Sequence, residues 1–202
     1  MKIKTADFVI SNTNYKICPT PIIPEYAFIG RSNVGKSSLI NALANNRKLA
    51  KTSGNPGKTQ LINHFLINKN WYLVDLPGYG FARVSKAKRA EFHEMINEYL
   101  LNRINLLCLF VLIDSRHKPQ QIDQKFMKWL AEKKIPFTIV FTKSDKLSKT
   151  ALSKNINKYK TKMLQEWEYL PEIFITSSET KEGTADILKY IECLNPQFKK
   201  IP

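Results

Sequence analysis

The sequence has few cysteines and no hydrophobic run long enough to cross a membrane. Its three cysteines, Cys18, Cys108 and Cys193, are odd in number and widely spaced, which argues against a disulfide framework or a metal cluster. We therefore expect free thiols in a reducing compartment. The longest apolar run, residues 106–113, falls well short of the ~20 residues that span a bilayer. It is typical of a strand buried on both faces.

Targeting and linker signals are also missing. The first residues carry no signal-peptide pattern, and the last ones offer no cysteine for prenylation. No repeat, low-complexity block or Pro/Gly/Ser-rich linker divides the 202 residues. We therefore expect one domain over residues 1–202 without a membrane partner. We also expect a monomer located in the cytoplasm.

Acidic residues are scarce relative to basic ones. The chain has 17 Asp and Glu against 32 Lys and Arg, a formal charge of +15. This excess favours a nucleic-acid partner, although a lysine-rich compositional bias of the genome is an alternative explanation. Two basic clusters stand out, Lys86, Lys88 and Arg89 in one and Lys154, Lys158 and Lys162 in the other. We favour contact of the first cluster with RNA phosphates, whereas for the second we favour an ordinary solvated helix face over RNA contact.

Apolar runs alternate with segments of helical periodicity, which predicts an α/β fold. We expect three layers, with helices on both sides of a six-stranded, mainly parallel sheet that contains one antiparallel strand. Residues 61–67 and 71–75 predict a hairpin, and Phe8–Ile10 an edge strand. Two apolar stripes predict the buried faces of helices: Ile122, Phe126, Trp129 and Leu130, and then Leu152, Ile156, Tyr159 and Met163.

The most informative stretch is a phosphate-binding motif, with the spacing Gly-x-x-x-x-Gly-Lys-Ser/Thr between an apolar strand and a helix. Its residues are Gly30, Arg31, Ser32, Asn33, Val34, Gly35, Lys36, Ser37 and Ser38. The glycines let backbone N–H groups surround an anion at a helix N-terminus. Lys36 is predicted to reach the β- and γ-phosphates and Ser37 to bind Mg²⁺. Alone, such a loop fits kinases, ATPases and GTPases.

A second motif follows the predicted strand 71–75. It comprises Asp75, Leu76, Pro77 and Gly78. An aspartate at a strand end can hold Mg²⁺, usually through water, and the glycine N–H can approach a γ-phosphate without a side chain in the way. In isolation the pattern also fits an ordinary turn.

A third motif predicts which base is bound. Thr142, Lys143, Ser144 and Asp145 follow an apolar strand and resemble the guanine-reading Asn/Thr-Lys-x-Asp box of GTPases. The two carboxylate oxygens of Asp145 match the N1–H and the exocyclic amino group of guanine, a donor pair that adenine lacks. The alternative is that Asp145 caps a helix.

Two weaker segments complete the predicted site. At the last strand end, Thr176, Ser177 and Ser178 resemble the segment whose backbone approaches guanine O6. A polar loop precedes the hairpin and includes Gly57, Lys58, Thr59, Gln60 and Leu61, which we expect to face the nucleotide. Thr59 is the candidate to bind Mg²⁺ and to sense the γ-phosphate.

Taken together, these motifs resemble the EngB (YihA/YsxC) family of bacterial GTP-binding proteins, among the TrmE-Era-EngA-EngB-septin-like P-loop GTPases. The resemblance spans nearly the whole chain. It implies an Mg²⁺-dependent GTPase that assists assembly of the large ribosomal subunit, contacts that subunit or its rRNA rather than DNA, and is needed for normal septation. Only the basic charge agrees independently with an rRNA partner.

Two positions depart from Ras-type chemistry. Tyr79 stands where Ras-like enzymes place the glutamine that orients the attacking water, which predicts slow hydrolysis by the isolated protein. Asn33 occupies the loop position that binds a monovalent cation in related K⁺-activated GTPases. We therefore list Asn33 with Lys36, Thr59 and Gly78 as catalytic candidates; the alternative for Asn33 is a hydrogen bond within its loop.

Two rival functions remain open at the level of sequence. A metabolic P-loop kinase or ATPase would require a lid and an acceptor pocket, and it would leave Asp145 unexplained. A membrane-associated signalling GTPase would require an anchor. Neither requirement is suggested by the residues present.

Overall fold

A computed structural model of the chain describes residues 1–51, 60–79 and 86–199, with the backbone alone for residues 86–89. Within these ranges, every helix is too short or too polar to traverse a bilayer. The strands are β1 (Ala6–Asn12), β2 (Glu25–Gly30), β3 (Ile62–Ile67), β4 (Trp71–Asp75), β5 (Leu106–Asp114), β6 (Phe137–Thr142) and β7 (Ile173–Ile175). The helices are α1 (Lys36–Leu43), α2 (Lys86–Asn102), α3 (Gln121–Glu132), α4 (Lys149–Met163) and α5 (Thr184–Leu194).

The strands form one sheet in the order β1-β3-β4-β2-β5-β6-β7. β3 runs antiparallel to both its neighbours, and the remaining pairs are parallel. The hairpin β3–β4 turns through Asn68 and Lys69, whose φ angles of 50° and 60° are left-handed and match the twist of paired strands. The predicted α/β fold with one antiparallel strand is confirmed.

Successive side chains of the central strand point to opposite faces of the sheet, which explains the three layers. In β5, Leu109, Val111 and Ile113 belong to a core that also contains buried residues of α2, α3 and α4. The intervening residues Cys108, Phe110 and Leu112 belong to a second core with α1 and α5. Because both faces are covered, β5 is apolar almost throughout, as the sequence indicated.

Two expectations about the layers need correction. The sheet has seven strands rather than six, and the predicted edge strand Phe8–Ile10 is longer than expected, since it pairs with β3 from Ala6 to Asn12 with a shift of register between Phe8 and Ile10.

The predicted stripe on α3 is correct at Phe126, Trp129 and Leu130, which are buried or pack on the core, but Ile122 is 39% exposed. Asp123 and Met127 are buried as well. Apolar periodicity did not identify Asp123 because it does not count a buried carboxylate.

The shared direction of the parallel strands determines where the site lies. β2, β4, β5, β6 and β7 share one direction, so their carboxyl ends lie along the same edge of the sheet. The phosphate motif follows β2, the Asp75 motif ends β4, the Asp145 motif ends β6 and the Thr176 segment follows β7. Ligands of open α/β sheets bind beyond these carboxyl ends.

Candidate nucleotide-binding site

The phosphate motif forms a tight loop between β2 and α1. Asn33 and Gly35 both adopt left-handed φ angles, 62° and 98°, and Val34 N–H donates to Arg31 O at 3.2 Å. Gly35 immediately precedes α1, so the free N–H groups of the first helical turn face the loop. Gly30 is also constrained, since a Cβ there would lie 2.8 Å from Leu112 O. The loop is therefore built for close approach of an anion to backbone.

Two buried charges meet at the centre of the site. The ammonium group of Lys36 contacts Oδ1 of Asp75, and both side chains are almost completely buried. Burial raises the pKa of the Asp75 carboxyl, and the neighbouring Lys36 offsets only part of that effect. Leu76 N–H donates to Phe28 O at 3.0 Å, which fixes this strand end beside the phosphate loop. Phosphate and Mg²⁺ would therefore enter a site that already pairs a cation with a carboxylate.

Gly78 packs directly on the phosphate loop. A Cβ at Gly78 would lie 2.6 Å from Gly30 O and 3.5 Å from Ser32 N. No side chain fits there without moving the backbone. The structure thus brings the predicted γ-phosphate sensor to the phosphate loop, together with the buried residues Leu76 and Pro77.

A separate cavity of about 140 Å³ lies next to the phosphate loop. Its lining consists of Gly35, Ser38, Leu39, Thr142, Lys143, Asp145, Lys146, Thr176, Ser178 and Glu179. Seven of the ten belong to the predicted site, and Leu39, Lys146 and Glu179 are additions that the motifs did not indicate. Polar groups thus converge beside one apolar wall, as is typical of small-molecule pockets.

Lys143 joins the two parts of the site. It adopts a left-handed φ of 61°, and its ammonium donates to Asn33 O at 2.6 Å and to Oδ2 of Asp114 at 2.9 Å. Its side chain therefore extends along the phosphate loop, 3.5 Å from the position a Cβ would take at Gly35. Thr142 adds a second link, since its hydroxyl donates to Val34 O at 2.6 Å.

Asp145 presents its carboxylate to the cavity and is held from two sides. Ser177 donates to Oδ1 at 2.6 Å, and the ammonium of Lys146 lies 2.9 Å from Oδ2. The hydrogen bond from Ser177 lowers the pKa of Asp145, and Lys146 adds to that effect. The alternative of a helix cap is wrong, because Ser148 caps α4 and accepts from Ala151 N–H at 3.2 Å.

The last strand end supports the motif after β6. Ser144 N–H donates to Thr176 O at 3.1 Å, and the Ser144 hydroxyl donates to Glu182 at 2.7 Å. Ser177 is fully buried, and its hydroxyl also accepts the N–H groups of Glu179 and Thr180. The weakest of the sequence motifs therefore lies directly against the predicted base reader.

Sequence reasoning missed Asp114 as a supporting residue. It ends β5 and accepts from both Arg116 and Lys143. Burial alone would raise the pKa of Asp114, but these two cations hold it well below the usual range. A signal existed, since an acidic residue directly follows the longest apolar run, at the edge where ligands bind.

Several predicted site residues either lie outside the described part of the chain or do not line the cavity. Gly57, Lys58 and Thr59 lie outside the described residues, so their predicted contacts stay predictions. Gln60 and Leu61 are exposed ahead of β3 and do not line the cavity. Asn33 is exposed, and within the described ranges its recorded hydrogen bond is through the backbone carbonyl.

Comparison with known proteins decides the family. A profile described as "50S ribosome-binding GTPase" matches residues 25–143. The chain is 62% identical over 195 residues to "Probable GTP-binding protein EngB" of Christiangramia forsetii, covering 96% of this chain and 98% of that protein. The protein of the same name from Porphyromonas gingivalis is 58% identical over 198 residues, covering 98% of each. The chain belongs to the EngB family of GTP-binding proteins.

Solved structures agree with this EngB-type fold. A crystal structure of a probable GTP-binding protein EngB aligns with a TM-score of 0.68 at 23% identity, covering 86% of this chain and 100% of that one. Era in complex with MgGDPNP and nucleotides 1506–1542 of 16S ribosomal RNA aligns with a TM-score of 0.69 at 20% identity, covering 89% and 59%. As a member of the EngB family, the chain is a P-loop GTPase that binds guanine nucleotides.

Proposed function

We propose that residues 1–202 form one monomeric, cytoplasmic GTP-binding domain that switches between GTP and GDP states, assists assembly of the large ribosomal subunit and is needed for normal septation. One observation carries the nucleotide part of this proposal. A cavity beside the phosphate loop is lined by Asp145 together with Lys143 and Thr176.

We assign phosphate binding to backbone N–H groups and to the charged side chain of Lys36. Lys36 would leave Asp75 to contact the β- and γ-phosphates, and the N–H of Gly78 would meet the γ-phosphate. For Mg²⁺, the donors are the hydroxyls of Ser37 and Thr59 and, through water, Asp75. Oxygen donors of this kind suit Mg²⁺, which keeps several waters and needs no all-protein cage. When bound, Mg²⁺ neutralises charge on the phosphates.

The base end is assigned to Asp145. Its two oxygens accept from the N1–H and the amino group of guanine, while the stem of Lys143 covers the base. Adenine would leave a partly buried carboxylate facing an acceptor, and sites built around such hydrogen bonds can discriminate by ~10⁴-fold. Titration with GDP and ADP tests this assignment. ADP binding as tightly as GDP would contradict it.

Hydrolysis by the isolated protein should be slow. Tyr79 follows Gly78, is buried and donates its hydroxyl to Asp123, so it is not placed to orient a water on the γ-phosphate. We propose that K⁺ bound at Asn33 supplies the missing charge. The exposed position of Asn33 on the phosphate loop supports this role.

Turnover in K⁺ and Na⁺ tests the Asn33 proposal. K⁺ should accelerate wild-type GTP hydrolysis, and Asn33→Ala should abolish the difference between the two salts. An arginine finger accelerates GTP hydrolysis by roughly 10³–10⁵-fold in other GTPases, which sets the upper limit for the acceleration expected from K⁺. Equal turnover in both salts, with and without ribosomal subunits, would contradict it.

A ribosomal RNA partner is supported by charge. Besides the formal +15, one solvent face of α4 carries Lys149, Lys154, Lys158 and Lys162 between hydroxyl and amide side chains, with no acidic residue in the helix. Such a face can neutralise backbone phosphates. The side chains of Lys86, Lys88 and Arg89, which the sequence favoured for RNA contact, lie outside the described residues.

Co-sedimentation with large ribosomal subunits tests both clusters. Glu substitutions at Lys154, Lys158 and Lys162 and, separately, at Lys86, Lys88 and Arg89 should weaken association and flatten its salt dependence. GDP affinity serves as the control for an intact fold. If neither set changes association or its salt slope, RNA contact through these surfaces is wrong.

A further inference from the structure

A buried carboxylate on α3 has no role in the nucleotide chemistry described so far. Asp123 is 1% exposed, and three groups converge on it. Tyr79 donates its hydroxyl to Oδ1 at 2.9 Å, Tyr159 of α4 donates to Oδ2 at 3.2 Å, and Nε of Arg31 lies 3.6 Å from Oδ1. This Asp123 cluster therefore joins the phosphate loop, the residue after Gly78, and two helices.

Asp123 lies in the first turn of α3, where a carboxylate is favourable, but its burial adds a cost. Burying a carboxylate is costly unless donors compensate for lost water, and an apolar side chain at this position of α3 would carry no such cost. Burial raises the pKa of the Asp123 carboxyl, and the nearby Arg31 guanidinium and the two tyrosine hydroxyls oppose that. Two of the four members, Arg31 and Tyr79, lie in or directly beside predicted nucleotide-binding segments, which points to a role at the site.

Tyr79 is fixed by more than its hydroxyl. Its ring stacks on Phe126 of α3 with centroids 4.4 Å apart, and the side chain is only 3% exposed. Since Gly78 is its chain neighbour, a fixed Tyr79 restricts where the Gly78 N–H can lie. In the structure that glycine lies against the phosphate loop, where a Cβ would come within 2.6 Å of Gly30 O.

We propose that Asp123 is a positioning residue: through Tyr79 it holds Gly78 against the phosphate loop, and so it favours binding of GTP over GDP. The proposal rests on the proposed contact between Gly78 and the γ-phosphate. Without the anchor, the Gly78 segment must be ordered when the γ-phosphate binds, and that cost lowers the affinity for GTP. GDP has no γ-phosphate and is not affected. A differential affinity of this kind is what a nucleotide switch requires.

Two matched variants test the anchor. Tyr79→Phe and Tyr159→Phe each remove one hydroxyl from the same carboxylate, but only Tyr79 adjoins Gly78. Binding of GMP-PNP and of GDP is measured by titration calorimetry on the full-length protein, with thermal unfolding as the check on folding. Tyr79→Phe should lower the GMP-PNP affinity by roughly tenfold and leave the GDP affinity unchanged, since a hydrogen bond to a charged group is lost. Tyr159→Phe should leave the ratio of the two affinities at the wild-type value.

Equal ratios in Tyr79→Phe and wild type, or the same change of ratio in both tyrosine variants, would overturn the proposal. Asp123→Asn provides a second measurement if Tyr79→Phe does not fold, and it should change the ratio in the same direction. Gly78→Ala distinguishes the role of the Asp123 anchor from the role of Gly78 itself. If it lowers the GMP-PNP affinity while Tyr79→Phe does not, the anchor alone is wrong; if neither does, the role of Gly78 is wrong.

Discussion

At the scale of single residues, the site depends on side chains that orient other side chains. Ser177 donates to Asp145, and Lys143 spans from Asp114 to the phosphate loop. These contacts restrict the rotamers of the groups that would meet the nucleotide. Preorganisation of this kind reduces the entropy that binding must overcome.

Ser177→Ala should weaken binding of guanine nucleotides. It removes the 2.6 Å hydrogen bond that aligns Asp145, and bonds to charged groups contribute about 1.5–3 kcal/mol, or roughly tenfold or more in affinity. GDP titration measures the change. Ser153→Ala, on the outer face of α4, is the control, and equal GDP affinity of the two variants would contradict the aligning role.

Motif residues were predictable because their backbone geometry is encoded by spacing. The phosphate loop, the Asp75 motif and the Asp145 motif all lie where the sequence placed them, at one edge of the sheet. Asp123 was not predictable in the same way. A single carboxylate within a helix has no local sequence signature. The role of Asp123 depends on hydrogen bonds from Tyr79 and Tyr159, which are distant in sequence.

At the scale of elements, the connection between β7 and α5 shapes the base end of the site. Gly183 precedes α5 with a φ of 70°, and a Cβ there would lie 2.0 Å from Ile175 O. The segment 176–182 therefore returns closely against β7 before α5 begins. This return places Ser177 beside Asp145 and Glu182 beside Ser144.

Gly183→Ala should destabilise the fold, because alanine combines a left-handed φ with a clash against backbone. We expect a loss of about 3 kcal/mol in the free energy of unfolding, measured with urea. Lys181→Gly is the matched control in the same loop. Lys181 is already left-handed at 63°, so glycine there should be neutral or slightly stabilising. Equal stability of Gly183→Ala and wild type would refute this account of the turn.

Helix and strand identities followed from periodicity, and the β3–β4 hairpin from its short polar turn. The buried face of α3 followed at three of its four predicted positions. Phe126, Trp129 and Leu130 pack on the core, whereas Ile122 is 39% exposed and Asp123 and Met127 are buried as well. The full pairing of β1 with β3 was underestimated, since a half-exposed edge strand has a weak apolar signal.

At the scale of the whole molecule, a second buried carboxylate secures the edge of the fold away from the nucleotide. Glu25, at the start of β2, is fully buried and contacts the guanidinium of Arg103 and the hydroxyl of Tyr99, both on or just after α2. His64 Nε2 lies 3.3 Å from its Oε1. Burial alone would raise the pKa of Glu25, but His64 and, with better geometry, Arg103 lower it to about 2.

The lowered pKa of Glu25 predicts part of the loss of stability at low pH. The folded pKa of about 2 lies below the ordinary value of 4.5, so the contribution of Glu25 to stability is present above pH 4.5 and is lost as the pH falls towards 2. Glu25→Gln should flatten the dependence of the free energy of unfolding on pH in that window, and it should lower stability at neutral pH because Arg103 loses its partner. Urea unfolding at several pH values measures both. Glu132→Gln, at an exposed position of α3, should retain the wild-type profile; a retained profile in Glu25→Gln would contradict the assignment.

The central claim is that one carboxylate selects guanine in this site, and exchange of the base tests it most directly. In Asp145→Asn, the amide cannot accept from both N–H groups of guanine, but it can donate to the additional carbonyl of xanthine. Competition titrations of GDP and xanthosine diphosphate on wild type and Asp145→Asn should show the preference for guanine replaced by one for xanthine. An unchanged preference for GDP in the variant would contradict the account.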